Sequence, residues 1–154
     1  LNKTDTVLEE LIDAVLVKFR KRCPEQTVAV IIPDDFVSIP MDAVLIEQVL
    51  VNLLENAVIH ASGMSCLELE VRLEDQAARF FVRDDGCGIP FDRLEDLFTG
   101  YLGSSDRQGD ASRRNMGIGL SVCATIIKAH GGVISARNRS DGGAEFTFTL
   151  TMEE

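Results

Sequence analysis

The sequence is poor in the side chains from which zinc sites and disulfide frameworks are built. It contains two histidines and four cysteines among 154 residues, and no two cysteines form a Cys-x-x-Cys pair. This scarcity argues against a structural zinc site. Free, reduced thiols are expected instead, as in a cytosolic protein. The cysteines are Cys23, Cys66, Cys87 and Cys123.

Long hydrophobic runs and a secretory leader are lacking as well. No apolar run approaches the roughly 20 residues that a membrane-spanning helix needs. The first ten residues, LNKTDTVLEE, contain neither the basic nor the apolar region of a signal peptide. From these absences we expect the chain to be soluble as it stands.

Positive charge is in short supply. Lysine and arginine number 15 against 25 aspartate and glutamate residues, which gives a net charge of −10. The sequence therefore lacks the basic footprint of a protein that binds nucleic acid without sequence preference, and we expect no nucleic-acid partner. A small anionic ligand is not excluded, because backbone amides can hold phosphate inside an acidic protein.

The chain does contain enough apolar material for one hydrophobic core. With 154 residues, a mass of 16.9 kDa and 45% hydrophobic residues, it fits a single domain covering residues 1–154. Thr4 or Thr6 is expected to cap a helix that runs to about Arg22, where apolar residues recur at helical spacing. The segment at 26–33 is predicted to be a buried strand.

The remaining sequence alternates helices with pairs of strands. A long amphipathic helix is predicted from about 42 to 60. Two strands at 66–73 and 78–84 alternate apolar and polar residues, which predicts one packed and one solvated face. The later elements are a short helix near 92–98, a polar run at 103–115, a helix at about 119–130 and two final strands. This order predicts a two-layer α/β sandwich, in which a mixed five-stranded sheet packs against three main helices on one face.

The stretch RDDGCGIP is a candidate base-binding loop. A strand ending in Asp84 and Asp85 runs into Gly86 and Gly88, and glycines permit positive φ and a close approach of backbone to a flat ligand. A carboxylate at the strand end can accept a hydrogen bond from an exocyclic amine. Taken alone, the pattern is more typical of an ordinary hairpin or loop turn.

The stretch RRNMGIGLSV is a candidate phosphate cradle. Gly117 and Gly119 are predicted to open the last main helix, so that unpaired amides and the helix dipole point outward together. Arg113 and Arg114 precede them and could add charge. The alternative is a flexible loop that enters a helix, with both arginines solvated.

Two asparagines interrupt the apolar stretch NLLENAVIH. Asn52 and Asn56 are four residues apart and project from one face of the predicted helix. Amide oxygens are hard ligands, and Mg²⁺ usually takes only one or two protein oxygens while phosphate and water complete its octahedron. The alternative is that both amides bond to neighbouring backbone.

Together and in this order, the three motifs form a nucleotide site and resemble those of one family. NLLENA is similar to the asparagine box of sensor histidine kinases, DDGCGIP to their first glycine box, DLFTGY to their phenylalanine box and MGIGLSV to their second glycine box. These kinases belong to a superfamily with gyrase, MutL and the heat-shock chaperone ATPases. The resemblance covers roughly residues 5–151 and implies a Bergerat-type ATP-binding fold. The asparagine box is similar to that of Kdp-type potassium sensor kinases, which suggests this subfamily.

The resemblance implies a role for each motif. Asn56 would be the Mg²⁺ ligand, Asn52 would lie beside the phosphates, and Asp84 would bond the adenine amino group. The segment at about 99–116 would be the ATP lid, with Phe98 anchoring its start. The implied ATP-binding residues are Asn52, Asn56, Asp84, Gly86, Gly88, Ile89, Tyr101, Arg113, Arg114, Gly117, Ile118, Gly119 and Leu120.

The sequence departs from the family pattern at three positions. Ile59 stands where the family commonly carries lysine or arginine, so one phosphate-neutralising charge is missing. Arg113, Arg114 or His60 could replace it, although His60 is interpreted first as an amphipathic helix-end residue. Asn115 stands where the second glycine box usually opens with glycine, and Cys87 replaces a common proline.

The implied reaction is transfer of the ATP γ-phosphoryl group to a histidine, with Asn52, Glu55 and Asn56 as the catalytic set. Positioning and charge neutralisation carry most of such catalysis. Glu55 is a candidate for orienting or deprotonating the acceptor, and a solvated helix-face charge is the alternative. Neither His60 nor His130 matches the family's phosphoacceptor pattern, a histidine followed by an acidic residue and Arg-Thr-Pro.

The sequence therefore looks like an excised catalytic domain. Dimerisation helices carrying the acceptor would precede Leu1, a response regulator would be an indirect partner, and the parent protein would be anchored in the bacterial inner membrane with this domain in the cytoplasm. A freestanding anti-sigma-factor serine kinase is the first alternative, although that group typically carries glutamate at the position of Asn52. A degenerate nucleotide-binding interaction module is the second.

Overall fold

A computed structural model describes residues 1–98 and 111–152, excepting the side chains of residues 95 and 111–118. In this part of the chain, strands and helices alternate as the sequence predicts. The elements are β1 (Thr4–Val7), α1 (Leu8–Arg22), β2 (Ala29–Ile31), β3 (Ser38–Met41), α2 (Ala43–His60), β4 (Leu67–Glu74), β5 (Ala77–Asp84), a 3-10 helix (Phe91–Asp96), α3 (Ala111–Ala129), β6 (Ile134–Asn138) and β7 (Ala144–Thr151).

The main sheet has five strands in the order β2-β4-β5-β7-β6. β2 runs parallel to β4, and the other neighbours are antiparallel. β1 and β3 form a separate antiparallel pair. The predicted mixed five-stranded sheet with helices packed against it is confirmed. The predicted alternation of β4 and β5 is confirmed for most positions, because most alternate residues join the core and the glutamates and arginines between them lie on the open face of the sheet. Exceptions are Phe81, which lies on the open face against Arg83, and Asp84, which lines the cavity described below.

α2 is the central helix of the core. The Asp42 side chain caps it by accepting a hydrogen bond from Leu45 N. By length and composition alone, α2 could cross a membrane, but it packs between α1 and α3. Its buried apolar side chains are Ile46, Val49, Leu50, Val51, Leu53, Leu54 and Ala57.

The predicted threonine cap of α1 is wrong. Thr4 and Thr6 lie in β1, which pairs with β3, and α1 begins at Leu8 with no side-chain cap. The Leu8 amide donates instead to Val37 O at 2.9 Å. β-Branched threonines favour a strand when a partner strand is available, and that partner is distant in sequence.

The predicted buried strand at 26–33 is also wrong in its extent and burial. β2 covers three residues at the edge of the sheet, and two of the three are exposed. The short helix predicted near 92–98 is a 3-10 helix at Phe91–Asp96. Both differences follow from tertiary context, because a strand or turn of this length is defined by its neighbours more than by its own residues.

The start of α3 differs most from prediction. The helix begins at Ala111, eight residues before the predicted start at Gly119. Alanine, arginine and methionine are good helix formers, and each interior glycine lowers helix stability by only about 1 kcal/mol relative to alanine. Residues 99–110, and with them most of the predicted lid, lie outside the described part of the chain.

The stacked pair Phe80–Phe148 should dominate local stability. The ring centroids are 4.6 Å apart and nearly parallel, and both side chains are fully buried. Phe80→Ala is expected to lower the free energy of unfolding by about 3–5 kcal/mol, measured by urea denaturation. Phe36→Ala, the same change at a side chain 77% exposed, should change it by less than about 0.5 kcal/mol. Equal effects of the two substitutions would contradict this core.

Candidate functional site

A cavity of about 660 Å³ opens where α2, the end of β5 and the loop after β5 meet. Asn56 from α2 and Asp84 from β5 both line it, together with Cys87, Ile89 and Phe146. The two residues that the sequence assigns to opposite ends of one ligand therefore share a single cavity. Its walls combine apolar side chains with a few polar groups, as small-molecule sites generally do.

Asp84 is held rigidly at the end of β5. It is 4% exposed, and its Oδ1 accepts hydrogen bonds from Gly86 N at 2.9 Å and Ala144 N at 3.3 Å. No residue in the described part of the chain donates to Oδ2. One carboxylate oxygen is thus fixed by backbone amides, and the other can accept a hydrogen bond from a ligand.

Asp85, the next residue, has a structural role. Its carboxylate accepts from Ser65 Oγ at 2.5 Å, Cys66 N at 2.8 Å and Ser65 N at 2.7 Å. The Ser65 hydroxyl and these two amides lower the pKa of Asp85 to about 2. Asp85 therefore fastens the connection between α2 and β4, and only the first aspartate of the pair lines the cavity.

The glycines of the loop are required by close approach. A Cβ on Gly86 would lie 2.7 Å from the Ala61 Cβ, at the end of α2. Gly88 has a φ of +82°, and a Cβ there would lie 2.7 Å from Asn138 Oδ1. Larger residues at either position would push the loop away from the helix or from β6.

Asn138 is a site residue that sequence reasoning missed. Its Oδ1 accepts from Ile89 N at 2.7 Å, and its Nδ2 donates to Ile89 O at 2.9 Å. These two hydrogen bonds to the backbone of Ile89 hold the glycine loop beside the cavity. The only sequence signal is an asparagine before the turn RSDGG, which is typical of any turn.

Asn56 is buried, and its side chain has no hydrogen-bond partner among the described residues. It is 9% exposed, yet no described residue forms a hydrogen bond with its side-chain amide. It also lines a second cavity of about 190 Å³, which it shares with Asn52, Gly119 and Leu120. Buried polar groups are nearly always bonded, so this amide is suited to a ligand at the junction of the two cavities.

Asn52 is oriented by a contact behind it. Its Nδ2 donates weakly to Cys123 Sγ at 3.9 Å. Burial raises the pKa of Cys123 to about 11, so this thiol stays neutral. Cys123 is therefore a packing residue, and Asn52 faces the smaller cavity from the same side of α2 as Asn56.

Glu55 is not a free carboxylate. Arg22 Nη1 lies 3.0 Å from Glu55 Oε1 and 3.2 Å from Oε2, which ties α2 to α1. Although Glu55 lines the smaller cavity, its charge is compensated by this pair. The predicted base is therefore engaged with Arg22 in this structure.

The two histidines have different environments. His130 is buried, accepts a hydrogen bond from Asp42 N at Nε2 and contacts Ile126 O through Nδ1, so it joins α3 to the start of α2. His60, which the sequence suggests to be a helix-end residue, lies at the end of α2 and lines both cavities. It is therefore placed to face a ligand that spans them.

The predicted phosphate cradle has a different geometry. Gly117 and Gly119 lie inside α3, so their amides belong to the helix and are not its free first turn. Gly119 and Leu120 line the smaller cavity. Tyr101 and the side chains of Arg113, Arg114 and Ile118 lie outside the described part of the structure, and their predicted contacts remain predictions.

Phe98 connects the phenylalanine-box segment to the cavity wall. Its ring meets Phe146 edge to face, with centroids 6.2 Å apart. Arg93, from the 3-10 helix, lines the same cavity, and its Nη2 is buried without a hydrogen-bond partner among the described residues. The described walls of this cavity thus contain a carboxylate fixed by amides, Asp84, together with a second carboxylate, Asp92, and the Arg93 cation.

Comparison with known proteins agrees with this geometry. The model of the histidine kinase-, DNA gyrase B- and HSP90-like ATPases matches residues 41–154. The chain belongs to this ATPase family. The sensor protein KdpD of Clostridium acetobutylicum is 34% identical over 153 residues, covering 99% of this chain and 17% of KdpD.

Solved histidine kinases share the fold of this ATPase domain. The catalytic domain of the histidine kinase ThkA has a TM-score of 0.78 and 29% identity, covering 99% of this chain and 97% of that domain. ThkA in complex with the response regulator TrrA has a TM-score of 0.74 and 26% identity, covering 97% of this chain and 42% of that one. The predicted relationship to sensor histidine kinases, KdpD included, is confirmed. The chain spans about a sixth of the KdpD protein that it matches.

Asp85 should make the thermal stability of this ATPase domain depend on pH in the acid range. Its folded pKa lies below the ordinary 3.8, at about 2, so its stabilisation is present above about pH 4 and is lost as the pH falls towards 2. Asp85→Asn should lower the melting temperature near pH 6, and its gap to the wild type should narrow near pH 3. Asp34→Asn, an exposed control, should show no such gap. A gap independent of pH would contradict the assigned hydrogen bonds.

Proposed function

We propose that this domain binds Mg·ATP across the two cavities and transfers the γ-phosphoryl group to a histidine on the dimerisation domain of a two-component sensor kinase. The observation that carries the proposal is Asn56. A buried amide that no described residue bonds lies at the junction of two cavities, a larger one lined by the fixed carboxylate of Asp84 and a smaller one lined by Asn52 and His60 among others. Membership of the ATPase family supports ATP as the ligand.

The larger cavity suits the adenine base. Asp84 Oδ1 is already bonded to two amides, which leaves Oδ2 to accept from the exocyclic amine of adenine. Ile89 and Phe146 supply apolar wall for the ring faces. Gly86 and Gly88 keep the loop close enough to form this wall.

The smaller cavity suits the phosphates and the metal. Asn56 Oδ1 is a hard oxygen ligand of the kind that Mg²⁺ takes once or twice from protein, and Asn52 lies one turn earlier on α2. When bound, Mg²⁺ would neutralise charge on the phosphates. Gly119 and Leu120 close the other side of this cavity.

His60 is our candidate for the cation that Ile59 does not supply. Ile59 is 56% exposed at the rim of the smaller cavity, whereas His60 lines both cavities. Arg113 and Arg114 at the start of α3 remain further candidates, and residues 99–116 remain the proposed lid with Tyr101 at its start.

The acceptor imidazole is itself a nucleophile, so the reaction places little demand on a base. Because Glu55 is paired with Arg22, we assign it to orientation and charge balance at the rim where the acceptor would arrive. Asn52 and Asn56 position the phosphates for transfer. Catalysis of this kind depends mainly on positioning and electrostatics.

The partners follow from the same assignment. The acceptor histidine would belong to the dimerisation domain of the parent kinase, and a response regulator would receive the phosphoryl group afterwards, in keeping with the ThkA complex with TrrA. The domain would function in the cytoplasm, as part of a parent protein anchored in the inner membrane.

Mg·ATP should stabilise the domain against heat. At a ligand concentration 100-fold above the dissociation constant the gain should be about 2.7 kcal/mol, read as a shift in melting temperature. Asp84→Asn and Asn56→Ala should abolish the shift, because they remove the base acceptor and the metal ligand. Asp34→Asn should keep it. The nucleotide assignment fails if millimolar Mg·ATP leaves the wild-type melting temperature unchanged.

Phosphoryl transfer should be seen in trans. The domain mixed with labelled ATP and a separate dimerisation domain carrying the acceptor histidine should produce an acid-labile label on that histidine. Asn56→Ala should remove the label, because the metal-bound phosphates lose their anchor, while Asp34→Asn should not. Acid-stable label on a serine of an anti-sigma antagonist would point to the serine-kinase alternative, and ATP binding without any transfer would point to a degenerate module.

A further inference from the structure

The nucleotide cavity lies on one face of the sheet, at the ends of β5, β7 and β6. The opposite face of these strand ends carries charged side chains that form ion pairs. Successive residues of a strand point to opposite faces. Asp84 and Ala144 therefore belong to the helix-side face, while their neighbours Arg83 and Glu145 belong to the open face. The pairing register places Arg83 opposite Glu145 and Asn138 opposite Ala144.

On the open face, Glu145 joins β5 and β7, which carry cavity-lining residues, to β6, whose Asn138 holds Ile89. Its Oε2 lies 2.6 Å from Arg83 Nε in β5, and its Oε1 lies 2.8 Å from Arg137 Nε in β6. Since β7 is the middle strand, one carboxylate bridges both of its neighbours. Arg83 Nη1 extends the network to Glu68 at 2.7 Å and Glu70 at 2.6 Å in β4.

This network is partly buried. The side chains of Glu145 and Arg83 are 8% and 11% exposed, and the Arg83 guanidinium stacks 4.4 Å from the Phe81 ring centroid. Burial acts to raise the pKa of Glu145, but the hydrogen bonds from Arg83 and Arg137 outweigh it and hold this pKa below its ordinary value. Glu145 is therefore a charged, doubly anchored side chain, unlike a mobile surface carboxylate.

Three contacts on the cavity side depend on the placement of the same strand ends. Ala144 N bonds Asp84 Oδ1, Asn138 bonds Ile89 through two hydrogen bonds, and Arg139 Nη1 donates to Asp84 O at 2.9 Å. Hydrogen bonds weaken steeply as they lengthen or tilt. A small shift of β6 or β7 against β5 would therefore turn both Asp84 and Ile89 away from the base.

We propose that Glu145 is a positioning residue for nucleotide recognition, because it holds the ends of β5, β7 and β6 in the placement that aims Asp84 and Ile89 at the base. The proposal rests on the nucleotide function assigned above. It extends that function to residues on the opposite face of the sheet, which do not line the nucleotide cavity. Arg83 and Arg137 act in the same way through Glu145.

Glu145→Gln tests this proposal, since it keeps the shape of the side chain and removes its charge. Dissociation constants for adenosine, ADP and ATP should be measured by calorimetry at a temperature where each variant is folded. The three constants should rise together, by roughly tenfold, as is typical when a group behind a binding residue is removed. A common rise is expected because the base end, which all three ligands share, is misplaced.

Three further variants separate positioning from simple loss of stability. Glu74→Gln breaks the Glu74–Arg79 pair at the far end of β4 and β5 and should leave all three constants unchanged. Leu150→Ala destabilises the buried far end of β7 and should also leave them unchanged. Arg137→Gln alters a side chain 65% exposed, keeps the domain folded and should weaken adenosine binding by a smaller factor than Glu145→Gln.

Each outcome is decisive. Wild-type affinity for adenosine in both Glu145→Gln and Arg137→Gln would overturn the positioning role while leaving the nucleotide function intact. An equal loss in Leu150→Ala would overturn it as well, since general destabilisation would then explain the effect. If Glu145→Gln does not fold, Arg137→Gln alone decides. A wild-type domain that binds none of the three ligands would overturn the proposed function and this inference together.

Discussion

The candidate site depends on how one buried carboxylate is held at the end of a strand. Among the described residues, only Oδ1 of the Asp84 carboxylate accepts hydrogen bonds. Its two donors come from different directions: Gly86 N from the loop that follows and Ala144 N from the neighbouring strand. A buried charge is costly unless it is hydrogen-bonded. When protein donors bond only one carboxylate oxygen and the other faces a cavity, the arrangement is stable only if the cavity admits water or a ligand. The end of β5, the glycine loop and the pairing with β7 thus together fix the Asp84 carboxylate so that Oδ2 is left to accept a hydrogen bond from a ligand.

The two adjacent aspartates have different roles because Asp84 is the last residue of β5 and Asp85 lies in the loop that follows it. Asp84 lines the cavity, and Asp85 accepts three hydrogen bonds from the connection between α2 and β4. Alternation within the strands places Arg83 and Glu145 behind the site, on the open face of the sheet. Arg83 and Asp84, two consecutive residues of β5, therefore lie in different environments. The sheet separates the carboxylate of Asp84, which faces the cavity, from the ion pairs of Arg83 on the open face.

The sequence predicted those features that are decided within a short segment. The apolar stripe of α2, the alternation of β4 and β5, and the glycines after Asp84 all have local causes. Features decided by a distant partner were missed or misjudged. Thr4 and Thr6 look like helix caps until β3 supplies a strand to pair with, and Asn138 looks like a turn residue until the loop at Ile89 is folded against it. The first residue of α3 was also missed, because two glycines suggest a helix start, yet good helix formers precede them. Glu145 gave no signal at all, since its importance lies in which strands it joins.

Charge distribution explains how an acidic domain can receive a polyanion. The net charge of −10 would repel a triphosphate if it were spread evenly, but only charges within about 10 Å matter at ordinary ionic strength. Among the described residues, Glu55 is the one carboxylate that lines the smaller cavity, and it is paired with Arg22. The carboxylates of Glu68, Glu70 and Glu145 behind the sheet are paired with Arg83 and Arg137. In the described part of the cavity walls, the carboxylates that form no ion pair with a described residue, Asp84 and Asp92, line the larger cavity, where Arg93 offsets part of their charge. Because the Glu55 charge is paired, the larger cavity is the carboxylate-lined end of the site and the smaller cavity, with Asn52 and Asn56, is its amide-lined end. A nucleotide has the matching polarity, with hydrogen-bond donors on its base and all of its negative charge on its phosphates.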